Sequence, residues 1–77
     1  MDIEELARII NAPREADLIL SLNSGEELRL EPVVRAVEYG RSILLLMWPI
    51  DGNILRVSRS INVGPSNVAS ARYDVAA

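Results

Sequence analysis

The sequence predicts an α+β fold that is mostly β, with an N-terminal helix followed by five antiparallel strands forming a small barrel or a strongly curved sheet. Three observations predict it. Apolar residues recur at helical spacing only over residues 2–11, the period changes to strict alternation from Asp17 onward, and short turn sequences interrupt the alternating part at regular intervals. At 77 residues the chain forms a single domain, 1–77. A domain of this size buries only roughly 60% of the surface its unfolded chain exposes, so its stability is expected to be small or helped by a partner.

In the helix, Ile3, Leu6, Ala7 and Ile10 line one face, and Asp2 and Glu5 have the spacing of a capping box. Glu4 and Glu5 suit the positive end of the helix dipole, and Pro13 ends the helix by excluding helical geometry at Ala12. Leu18, Leu20 and Leu22 then share one face of a first strand. Asn23, Ser24 and Gly25 turn the chain into a second strand through Leu28 and Leu30, which Pro32 bends or interrupts before residues 34–39 continue it.

After a turn at Gly40 and Arg41, residues 42–48 contain the unbroken apolar run from Ile43 to Trp48, which predicts a strand sheltered from water on both faces. One helix covers only one face of a small sheet. The other requires barrel curvature or a second molecule. A turn over residues 49–53 leads to a fourth strand, residues 54–63, with Leu55, Val57, Ile61 and Val63 on one parity, and a turn over residues 64–67 leads to a fifth with Ala69, Ala71, Tyr73 and Val75 alternating. A flat sheet with the helix on one face is the alternative architecture.

Composition narrows function by removal. The chain has no cysteine, no histidine and no lysine, all eight basic residues being arginine, so thiolate chemistry, imidazole acid–base chemistry, Schiff bases and the usual zinc cages are excluded. No catalytic residue, metal ligand or cofactor is expected. The serines lack an activating base, and the glutamates read as a solvated acidic face. Asp51, Gly52 and Asn53 read as a hairpin turn, because no calcium-ligand series follows them. A net charge of −3 argues against indiscriminate phosphate binding, no apolar run reaches the length of a membrane span, and the acidic start is unlike a signal peptide. A cytoplasmic, non-membrane protein is the expectation.

Two constellations remain. Arg59 shares its parity with Leu55, Val57, Ile61 and Val63, so either a bulge turns it outward or a carboxylate or ligand holds it, with Glu27, Glu31 and Glu38 as the candidate structural partners. Trp48, the sole tryptophan, beside Met47 and Pro49, either closes the core or anchors a partner.

Helix, then short strands with tight turns, resembles the small β-barrels of SH3-like and Sm-like type. Residues 18–46, with the turn at Gly25 and the later apolar strand, resemble an Sm first motif, and residues 29–32, 40–46 and 56–61 resemble the short motifs of WYL domains of bacterial regulators. Ser42, Ile43 and Leu44 stand where the WYL pattern has its aromatic residues, and Glu38 and Arg41 stand near the base-contacting positions of the Sm pattern. Rof-type inhibitors of Rho are a related form with an N-terminal helix and an acidic surface.

The leading expectation is a non-enzymatic regulatory module that acts by protein–protein contact, as a homo-oligomer or by capping and inhibiting a larger partner, with Met47 and Trp48 in its contact strand. The alternative, implied by the resemblance, is a module sensing single-stranded nucleic acid or a nucleotide through Arg35, Arg41, Arg56, Arg59 and Trp48.

Overall fold

The computed structural model describes residues 1–75. Helix α1 (Ile3–Asn11) buries Leu6, Ala7 and Ile10, as the helical spacing predicts. Asp2 takes the extended N-cap conformation but its side chain makes no capping bond, so the expected capping box does not form. At the other end the Arg14 guanidinium reaches carbonyls from three parts of the chain, donating to Ile10 O (3.3 Å), Ala16 O (3.1 Å), Leu30 O (2.8 Å) and Glu31 O (2.9 Å). Burial lowers the pKa of this arginine, and neighbouring Asp17 works in the opposite direction.

Strands β1 (Asp17–Leu22) and β2 (Glu27–Leu30) form the first hairpin, with Leu18 opposite Leu30 and Leu20 opposite Leu28. Its turn relies on Gly25 at φ +94°, a conformation that a Cβ disfavours. Of the two readings at Pro32, a bend or an interruption, the structure takes the interruption. A turn at residues 31–34, closed by the Val34 N–H on Glu31 O (3.0 Å), separates β2 from β3 (Arg35–Tyr39), and the two halves enter different sheets.

Strands β4 (Ile43–Ile50) and β5 (Asn53–Val63) follow, then a 3-10 turn at Pro65–Asn67 and β6 (Val68–Asp74). The fold is therefore not the five-stranded barrel or strongly curved sheet that the sequence predicts. Six strands lie in two separate three-stranded sheets, ordered β2-β1-β6 and β3-β4-β5, neither closed into a barrel nor strongly curved. The physical reason is local. Pro32, which cannot donate to a ladder, lies in one link between the sheets and the Pro65 turn in the other, so no strand runs through both.

One core joins the layers, with Leu6 and Ile10 from α1, Leu18, Leu20 and Leu30 from the first sheet, and Leu44, Leu46 and Trp48 from the second. The first sheet also buries one residue on its outer face. Ile19 is opposite both Arg29 and Arg72 and is almost fully covered, while Arg29 is paired with Asp17 and Asp74 and Arg72 with Glu27 (2.8 Å). Arginine stems shield an isoleucine here while their charged ends stay in water. The bonds to Asp74 and Asp17 raise the pKa of Arg29 further.

Candidate protein-contact surface on the β4–β5 hairpin

The apolar run in β4 does not require cover on both faces. Leu44, Leu46 and Trp48 point inward and are buried, whereas Ile43, Leu45 and Met47 point to the outer face and are only partly covered. The outer face is built in rows by the ladder: Tyr39 opposite Ile43, Val37 opposite Leu45 opposite Asn62, and Arg35 opposite Met47 opposite Ser60. Strand alternation thus puts half of the apolar run in the core and half on an open outer face, which no barrel closure covers.

Beyond Met47 the hairpin loses β3 and continues as two strands. Its tip is a two-residue turn, with Asp51 at φ +53° and Gly52 at φ +75° between the paired residues Ile50 and Asn53. Two positive φ values in succession are those of a type I′ turn, for which Asp-Gly is a favoured sequence.

Between body and tip the register breaks twice. Trp48 is opposite Arg59 and Pro49 opposite Val57, so Ser58 is an extra residue, and its hydroxyl donates to Trp48 O (3.3 Å). Ile50 is opposite Asn53, so Ile54, Leu55 and Arg56 all lie outside the ladder. The Asn53 side chain accepts the Leu55 N–H (2.9 Å), which fixes the bend. The consequence is an apolar knuckle, with Leu55 89% exposed, Ile54 57% exposed and Val57 beside them. The predicted parity of Leu55 and Val57 with Ile61 and Val63 fails because bulges change the face a residue points to.

Behind the knuckle Trp48 is 8% exposed and donates its indole N–H to Glu31 (2.6 Å), while the Arg59 guanidinium lies over its ring at 4.6 Å from the centroid. Arg59 is therefore held by an aromatic face. None of Glu27, Glu31 and Glu38 pairs with it, since Glu27 bonds Arg72, Glu31 bonds the indole, and no ion pair to Arg59 occurs among the described residues.

The other candidate arginines are dispersed. Arg35 donates to Pro32 O (3.2 Å) and Val34 O (3.1 Å), fastening the link between sheets. Arg41 sits in the turn past the other end of β3, about 13 Å along the strand from Arg35, in an open groove with Met1, Ser42 and Pro65. Arg56 is on the knuckle. Arg35 and Met47 pair on the outer face and Trp48 and Arg59 on the inner one, so adjacent ladder positions put the two pairs on opposite faces of the sheet, and Arg41 joins neither.

No family model, curated protein or solved structure matches this chain. The site therefore has to be read from its own geometry. Among the described residues no helix is long and apolar enough to cross a membrane, and no group of acidic side chains is placed to hold a metal ion. Sequence reasoning missed the exposure of Ile54 and that of Leu55, which it placed on the apolar parity. The signal for both was Pro49 within the apolar run, since a proline inside a strand marks a bulge or an edge.

Proposed function

We propose that this chain is a non-enzymatic, cytoplasmic binding module that engages another protein through the outer half of the β4–β5 hairpin. The knuckle carries the proposal: two adjacent aliphatic side chains lie outside the ladder, at the end of a two-stranded ribbon, with more than half of each in water. Adjacent aliphatics raised clear of the surface are anchors for a partner's pocket, and burying Leu55 alone contributes about 1.5–3 kcal/mol. The nucleic-acid reading has weaker support. The indole is buried, one of its faces is stacked on Arg59, and Arg41 is remote from the other arginines.

A photo-crosslinking amino acid at position 55 in the cell tests the proposal, with position 26 on the opposite hairpin as the control. Discrete protein adducts are expected at 55 and not at 26. Equal crosslinking at both positions, or adducts to nucleic acid, would refute it.

A further inference from the structure

Among the described residues five stretches of unpaired strand edge are present in the two sheets, and three are closed by identifiable devices. The edge of β3 is capped where the Asn11 amide donates to Ala36 O (2.8 Å) and accepts the Ala36 N–H (2.7 Å). The edge of β2 spans four residues only. The edge of β4 beyond Met47 meets Pro49, which has no N–H. On β5 the bulges break the edge from Asn53 to Ser58, but Arg59 to Val63 are in unbroken register with β4 and, among the described residues, no strand pairs with their other side. The edge of β6 is also free, but its charges are already engaged, Arg72 by Glu27 and Asp74 by Arg29.

We infer that the Arg59–Val63 edge accepts an extended acidic segment of a partner protein as an additional antiparallel strand. This rests on the reading of the chain as a protein-binding module and adds the chemistry of its partner. Two observations point to an acidic strand. β5 carries Arg56 and Arg59 and no acidic residue, on a chain of net charge −3. The Arg59 guanidinium lies over the Trp48 ring, 4.6 Å from its centroid, without an ion-pair or hydrogen-bond partner among the described residues, which leaves its N–H donors available to an incoming carboxylate. A stacked guanidinium has already lost the rotamer freedom that a bidentate carboxylate bond would otherwise take from it. A second copy of β5 fits poorly, because in the twofold register that overlaps Arg59–Val63 each Arg59 stands opposite Val63, and β5 has no carboxylate to offer it.

The register specifies the incoming strand. Opposite Val63, Asn62, Ile61, Ser60 and Arg59 it carries, from its N-terminus, a β-branched apolar residue, a polar residue, a β-branched apolar residue, a polar residue and a carboxylate.

The probe is a fluorescent capped peptide of sequence Val-Thr-Val-Thr-Glu, measured by anisotropy at low salt against the same peptide ending in lysine and against a form N-methylated on alternate amides. The glutamate peptide is expected to bind roughly 3- to 30-fold more tightly than the lysine peptide, with the preference reversed in Arg59→Glu. Binding is expected to be lost in the N-methylated form whose edge-facing amides are blocked. Trp48 emission verifies that the Arg59→Glu variant is folded, and Arg56→Glu, on the exposed knuckle, gives a second charge reversal that leaves the stack intact. Equal affinity for the two peptides, indifference to N-methylation, or self-association of the chain that the glutamate peptide does not displace would overturn the inference. Protein adducts at position 55 together with no peptide binding would remove this inference and leave the proposed function standing.

Discussion

Asn11→Ala tests how this small domain keeps its sheets from adding unwanted strands. The Asn11 amide makes a two-bond clasp on Ala36, 2.8 Å and 2.7 Å, in partly buried surroundings 25 residues away in sequence. Each bond contributes about 1 kcal/mol net, and uncapping a half-buried N–H and C=O adds a desolvation penalty, so the variant loses about 1–3 kcal/mol. Against a total stability on the order of 4–12 kcal/mol for this length, that is a large share. The melting temperature is expected to fall by roughly 5–20 °C. Urea unfolding followed by Trp48 emission is the assay, because the only tryptophan is buried in the native state. The midpoint should fall with the slope unchanged.

Asn11→Asp supplies an internal control through pH. A protonated carboxyl can both accept from and donate to Ala36, whereas a carboxylate facing Ala36 O cannot donate. The neutral form is therefore favoured in the folded state and its pKa is raised. Stability from the restored clasp is present below the unfolded value near ~3.9 and is lost as pH rises through the folded pKa. Relative to the native chain, the deficit should be small at low pH and full at neutrality. An unfolding free energy for Asn11→Ala within about 0.3 kcal/mol of the native value, or a pH-independent Asn11→Asp deficit, would refute the clasp as a stabilising device.

Arg59→Ala removes a guanidinium from the indole face and should cost about 0.5–1 kcal/mol, with increased acrylamide quenching of Trp48; unchanged quenching would mean that the stack does not persist in solution. Gly52→Ala meets open space at its Cβ but must keep φ at +75°, so a loss of about 1 kcal/mol in urea titration would report backbone strain alone. Leu46→Ala, at a fully buried position between β3 and β5, should cost about 2–5 kcal/mol and leave a shallow, weakly cooperative unfolding curve.

Local pattern was legible where one element decides its own geometry. The helix face at Leu6, Ala7 and Ile10, the Gly25 turn and the Asp51-Gly52 turn all follow from spacing and backbone preference. What the sequence did not disclose depends on which pieces meet. Alternation over residues 28–39 is compatible with one bent strand or with two strands in two sheets, and only the 31–34 turn decides. The apolar run in β4 implied two covered faces, yet its outer residues are only partly covered. In the candidate site, the odd parity of Arg59 was visible, but its aromatic partner was not, because Trp48 is 11 positions away and faces it only through the register of the hairpin. Leu55 was hidden for the opposite reason: its parity suggested burial, and extra residues in β5 reversed it.

Exposed apolar residues occur elsewhere on the surface, including Val33, Val37, Tyr39 and Tyr73, and single instances of this kind are ordinary in a chain that is 49% hydrophobic and too small to hide them all. The knuckle differs in construction. Val37 and Tyr39 sit on a regular strand where alternation alone determines their exposure, so any apolar residue there would be equally exposed. Ile54 and Leu55 are exposed because Asn53, Pro49 and the supernumerary residues of β5 together remove them from the ladder. The same bulges also spoil that part of the edge for strand pairing. One device thus separates the two proposed modes of contact along a single strand: side-chain insertion at the bulged end, and backbone pairing confined to the regular stretch beginning at Arg59. If the two modes are separate, Leu55→Ser should abolish the position-dependent protein contact while leaving Val-Thr-Val-Thr-Glu binding within about twofold of the native chain, as expected for sites that share no partner atoms; parallel loss of both would show that the hairpin acts as one undivided surface.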